Sequence, residues 1–177
     1  MTGGQTYPVL FELGFDVGRH RPEPDGQKGI SKNMNWKMTV TAHDSGAEFA
    51  PPSDAVSIAE AEKVLNVEFP SDLRSFFLEA GGLVVDYGCE IIWKVSDVVS
   101  RNKEFRDTVS FRELYMPFDH LLFFGDDGGG DQFAIAIQAD GIVHKHDVYR
   151  WEHETDARSW FASGLSQFLE KRLAVAD

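Results

Sequence analysis

A single cysteine, Cys89, in a chain of 177 residues excludes an intrachain disulfide and any cysteine-rich metal site. Long apolar runs are missing too, and none approaches the roughly 20 residues that a membrane-spanning helix needs. The N-terminus has no basic segment followed by an apolar one, so no secretory signal is expected and the protein is placed in the cytoplasm. Basic side chains are scarce: 17 Lys and Arg stand against 29 Asp and Glu, for a formal net charge of −12. The deficit is uneven, with 5 basic and 6 acidic residues in 1–50 against 12 and 23 in 51–177. A field of that sign repels phosphate backbones and attracts basic surfaces. Nucleic-acid and membrane partners are therefore disfavoured and a basic protein partner is favoured, unless the acidity serves solubility alone.

What the chain does have is the composition of a folded domain, 42% hydrophobic and 12% aromatic. Residues 1–53 read as an extension, with "GRHRPEPDGQKGISKN" rich in turn formers and "APPSD" (Ala50–Asp54) a stiff linker. Within it "YPVLFELGF" (Tyr7–Phe15) suggests a short added strand, Met34 and Met38 are alternative starts, and "MTGGQ" resembles the remnant of a tag. Residues 54–177 read as one domain.

That domain opens with "SIAEAEKVL", where Ser57 and Glu60 form a capping box and Ile58, Ala61 and Leu65 share a helical face. Asn66 is a left-handed stop and Pro70 begins a second helix, whose Leu73, Phe76, Phe77 and Ala80 form a stripe ended by Gly81–Gly82. A hairpin around Gly88 follows, then a third helix in "SDVVSRNKEFR" capped by Ser96. "HLLFFG" reads as a buried central strand. In "QFAIAIQ" Phe133, Ile135 and Ile137 face one way, and Ala134 and Ala136 offer the other side to a close-lying helix. Asp140–Gly141 is a hairpin turn into "IVHKHDVYRW", and a helix over about Asp156–Leu173, with a stripe through Phe161, Leu165, Phe168, Leu169 and Val175, closes the chain. The order predicts an α+β fold with an N-terminal helix pair, a mostly antiparallel sheet and a C-terminal helix.

"FGDDGGGDQF" invites a phosphate or metal reading. Gly125 and Gly130 have phosphate-loop spacing, yet Asp131–Gln132 stands where Lys-Ser/Thr belongs, and the aspartates repel phosphate. An EF-hand needs alternating acids and a distant Glu, whereas Asp126 and Asp127 are adjacent and position 137 is Ile. The preferred reading is a bend made by glycines, with Asp126, Asp127 and Asp131 also available to a partner surface. His144 and His146, followed by Asp147, His153, Glu154 and Asp156, have spacing that suits a metal pair, but no fixed motif accompanies them and no metal or cofactor is expected. No nucleophile is paired with a base, so no catalytic residue is assigned; Cys89 reads as a small strand residue. In "DVYRWEHETD" Tyr149, Trp151 and His153 share a face opposite Arg150 and Glu152, the mixture that suits a protein contact. The alternative is that Tyr149 and Trp151 fill the core beneath the last helix. The protein-binding set is Asp126, Asp127, Asp131, Tyr149, Trp151, Glu152 and Glu154.

In order and spacing these pieces resemble the SUKH superfamily, the Smi/Knr-type proteins, over about Ser57–Leu173. The matching positions are Glu62 in the first helix, the Phe69–Pro70 step, Gly81–Gly82, and Gly125 with Gly130–Asp131; Phe69 replaces the commoner Leu. The resemblance implies a non-enzymatic protein. Its bacterial members are mostly immunity proteins that bind and neutralise a cognate toxin, and several of those toxins are nucleases; its fungal members resemble regulators of cell-wall assembly. The expectation is a toxin-neutralising immunity protein with a basic partner, the alternative an interaction scaffold or regulator of envelope synthesis.

Overall fold

The computed structural model describes residues 34–174. The expectations for Tyr7–Phe15, the tag-like start and Val175 lie outside them. An α+β fold with two antiparallel sheets and a closing helix is observed.

Residues 34–53, placed in the extension by sequence, carry two elements of the fold. Helix α1 (Trp36–His43) begins where the Asn35 side chain accepts the Met38 N–H. Its Trp36 is buried edge-on against Phe76, and Trp36 Nε1 donates to Ser75 Oγ. The Glu79 carboxylate takes the N–H groups of Trp36 and Lys37, both at 2.9 Å. Strand β1 (Glu48–Phe49) pairs antiparallel with β2 (Leu83–Val85).

The helix pair is α2 (Ala55–Leu65) and α3 (Ser71–Glu79), and the expected stripes are buried. α2 starts earlier than the capping box suggests. Asp54 is the N-cap, and its carboxylate accepts the Ser57 N–H at 2.8 Å, so Ser57 lies inside the helix. An aspartate with extended backbone serves that end as well as a serine. Asn66 is left-handed, φ 53°. Buried Glu62 accepts the Phe69 N–H and pairs with Arg74, which fixes the turn between the helices.

β2 joins β3 (Cys89–Ile92) through a 3-10 turn at Asp86–Gly88. Helix α4 (Val95–Asp107) has Lys94, not Ser96, as its N-cap, and a short α5 (Val109–Leu114) follows. Buried Asn102 clamps α4 to strand β4 (Leu121–Asp126): its amide donates to Phe123 O and Val98 O and accepts the Phe123 N–H.

The second sheet runs β4, β5 (Gln132–Ala136), β6 (Val148–Glu152) and β7 (Ala157–Ala162). β4 is buried as expected, but it stands at the end of its sheet and is not central; its other side lies near β3, where the Trp93 N–H, just past that strand, donates to Phe124 O at 2.8 Å. The Asp140–Gly141 turn forms, but residues 142–147 are irregular, so the meander resumes only at Val148. The closing helix is shorter than expected. Residues 157–162 form the edge strand β7, and α6 spans only Leu165–Leu173. Asp156 in the left-handed region (φ 56°) turns the chain back, and pairing with β6 satisfies backbone that a first helical turn would leave open.

α6 sets Phe168 edge-on to Phe124 and Phe133, at 5.2 and 4.9 Å. The helix therefore lies on the large-residue face of β5, not on the alanine face. Each buried phenylalanine contributes roughly 2 kcal/mol. β3 and β4 approach so closely that a Cβ on Gly125 would sit 2.0 Å from Ile91 O, whereas a Cβ on Gly141 (φ 79°) meets nothing within 4 Å. Gly125→Ala is therefore expected to lower stability by about 3 kcal/mol and Gly141→Ala by only about 1 kcal/mol. Urea denaturation of both variants measures the difference, and equal losses would contradict the close approach.

Candidate functional site

The loop between β4 and β5 reverses the chain over residues 127–131, and its backbone closes through Asp127 N–H to Asp131 O at 3.1 Å. Gly128 and Gly130 have positive φ, 78° and 109°, in agreement with a glycine-made bend. The aspartates face inward. Asp126 accepts the Gly128 N–H with one oxygen, and with the other the Trp93 indole N–H at 2.7 Å and Arg101 at 3.1 Å. Arg101 also pairs with Glu90 and stacks 4.4 Å from the Trp93 ring centroid. Asp127 takes the N–H groups of Gly129 and Asp131 and lies 3.3 Å from Arg150.

Asp131 is the most engaged of the three. Arg150 donates to it through two nitrogens at 2.9 and 2.6 Å, and His153 through its backbone N–H at 3.1 Å, with the ring Nδ1 at 2.7 Å. Burial alone raises its pKa, but the hydrogen bonds from His153 and Arg150 outweigh burial and hold the carboxyl below the ordinary range. Three carboxylates are thus matched by Arg101, Arg150 and His153. They are not aimed at solvent in the way a cation site or a free acidic contact surface needs.

The other sequence candidates separate. On β6, Arg150 points to the loop while Tyr149 and Trp151 point to the opposite face, so the loop acids and the two aromatics do not form one patch. Trp151 is 3% exposed, packed against Phe118 and Tyr115 and donating its indole N–H to Asp156 Oδ1. It serves the core, as the alternative reading held, but on the face opposite α6 and not beneath the last helix. Tyr149 and Glu152 are half-buried and Glu154 is exposed. His144 lies beside Asp140 and His146 beside Asp72, apart from each other's partners. Among the described residues no group of three His, Cys, Asp or Glu is placed to hold a metal ion. Burial and the nearby Asp126 push the Cys89 thiol up, so it is not an activated nucleophile. Arg101 and His153 as loop partners escape a sequence reading, since neither adjacency nor periodicity links them to it.

A helix pair, two antiparallel sheets welded at β3 and β4, and a polar loop occupied in holding them together define an α+β module without an evident reaction centre. The model of the SMI1-KNR4 cell-wall family (SUKH_6) matches residues 56–169, and the chain belongs to that family. The SUKH superfamily covers immunity proteins and cell-wall regulators, generally non-enzymatic interaction proteins. No curated protein matches the chain. No helix among the described residues is long and apolar enough to cross a membrane.

Asp131→Asn removes the charge that Arg150 and His153 share, and the expected loss is about 2 kcal/mol, moderated because Arg150 is 40% exposed. Since the folded pKa is lowered, the Asp131 contribution is complete above the ordinary carboxylate pKa of about 3.9 and fades as pH falls through the folded value. The stability gap between wild type and variant should therefore close below about pH 4, as denaturation at stepped pH would measure. Calcium at millimolar concentration, or a chelator, should leave the thermal midpoint unchanged; a rise with calcium would contradict the inward-facing loop.

Proposed function

We propose that this chain is an immunity protein that binds and neutralises a cognate bacterial toxin domain and performs no chemistry of its own. The observation that carries the reading is the distribution of its acidity. The loop carboxylates are engaged by Arg101, Arg150 and His153, yet Glu60, Glu68, Glu104, Glu113, Glu154 and Glu170 are exposed and form no ion pair among the described residues. These exposed carboxylates put part of the sequence's surplus of acid over base on the open surface. Such a field speeds association with a basic domain, a nuclease for instance, and resembles the polyanion that a nuclease binds. Family membership supports a binding role in general.

A second reading, a scaffold or regulator of cell-wall or envelope synthesis, is favoured by the description of the matching family. It calls for several weak partners instead of one tight one. The two separate in a titration of the full chain against the toxin domains encoded in its genomic neighbourhood. The immunity reading expects tight one-to-one binding, with an association rate that falls at least tenfold between low and high salt while dissociation changes little. Absence of binding, or an association rate indifferent to salt, would refute it.

A further inference from the structure

The four-stranded sheet has one face covered by α6, and its other face is covered only in part. Register places Phe123, Ala134, Tyr149 and Trp160 opposite one another in a row across β4, β5, β6 and β7. Phe105 of α4 covers the start of this row, 4.8 Å from Phe123, and Ala134 is fully buried. The cover then ends. Tyr149 is half-buried and Trp160, the last in the row, is 52% exposed.

Trp160 is nonetheless held in place. Its indole N–H donates to Asp147 Oδ1 at 3.2 Å, and Lys171 Nζ lies 4.8 Å from its ring centroid. A large apolar surface fixed in one orientation but left open is the character of an interface anchor, because little rotamer freedom is left to lose on binding. β7 is also the end of its sheet and pairs with β6 alone among the described residues. Lys171 donates to the Phe161 carbonyl at 2.6 Å, guarding the far end of that edge.

We propose that Trp160, Tyr149 and the outer edge of β7 form the docking surface for an extended segment of a basic protein partner, which adds as a strand beside β7 and packs a side chain on the Trp160 ring. This rests on the immunity reading above. An unpaired strand edge offers main-chain donors and acceptors that an extended backbone satisfies and a helix does not. Asp147 borders the surface through its bond to Trp160, and the chain's charge of −12 opposes a second copy of itself. A depression of about 580 Å³ lined by Asp140, His144 and Tyr149 gives room for a further side chain of the same segment.

The test titrates the toxin domains encoded in the genomic neighbourhood against the full chain, Trp160→Ala and a control, Val64→Ser at an exposed position of α2, with circular dichroism confirming the fold of each. Trp160→Ala should weaken binding at least tenfold and Val64→Ser should leave it unchanged, and β7 amides should gain hydrogen-exchange protection in the wild-type complex. If wild type binds and Trp160→Ala binds equally well, the surface is wrong and the immunity reading stands. If wild type does not bind, the immunity reading fails and this partner assignment with it. Weakened binding without added β7 protection removes strand addition. Should Trp160→Ala not fold, Trp160→Phe and the exchange pattern of the wild-type complex decide.

Discussion

At Gly125 strand β4 passes so close to β3 that a methyl group would meet the Ile91 carbonyl at 2.0 Å, and from this contact the remaining architecture follows. It lets the Trp93 N–H reach Phe124 O and so ties the two short sheets together. Just beyond Gly125 the chain reverses within residues 127–131. A tight reversal beside a core leaves N–H groups without strand partners, and such groups are costly when buried. The aspartates accept them: Gly128, Gly129, Asp131 and His153 each donate a backbone N–H to a loop carboxylate. Gathering that much negative charge in turn requires Arg101 from α4 and Arg150 from β6. The acidic loop is thus a consequence of the weld between sheets, not a ligand site added to it.

This changes where function has to be sought. Were the loop acids free, they would be the natural contact for a basic partner. Because they are occupied, the surplus acidity on which the proposed partner binding relies sits on scattered exposed glutamates, and scattered charge sets association rate more than register. Register needs an ordered surface with directional groups, which the open end of the second sheet has.

Much of the fold was legible. The stripes of α2 and α3 follow the helical period, Asn66 and Pro70 punctuate them, and the apolar run of β4 has no other plausible place than the interior. α1 was missed because Trp36 and Val40 are its only buried residues, too few for a period to show. The α2 cap was misplaced by three residues since Asp54 and Ser57 have similar capping chemistry, and only the extended backbone of Asp54 separates them. β7 was hidden inside a helix because Phe161, Leu165, Phe168 and Leu169 satisfy a helical stripe whether or not Phe161 belongs to it. The choice was made by β6, whose edge needed a partner, which is information that lies outside the segment. For the loop, the bend was legible from its glycines, while its cations were not, being brought in from two distant elements.

Parity along β6 then divides the labour of one short strand. Arg150 turns to the loop, while Tyr149 and Trp151 turn to the other face. Trp151 is sealed there by Phe118 and Tyr115 and by its bond to Asp156. Asp156 also accepts the Met116 N–H and pairs with Arg158; burial alone would raise its pKa, but these bonds outweigh burial and keep it ionised. The hairpin from β6 to β7 is consequently tied to the α5–β4 connection at one end and, through Trp160, to Asp147 and Lys171 at the other. An edge strand anchored at both ends loses little freedom when something binds to it, and the same anchoring that made β7 invisible to local periodicity is what makes its outer row an ordered surface.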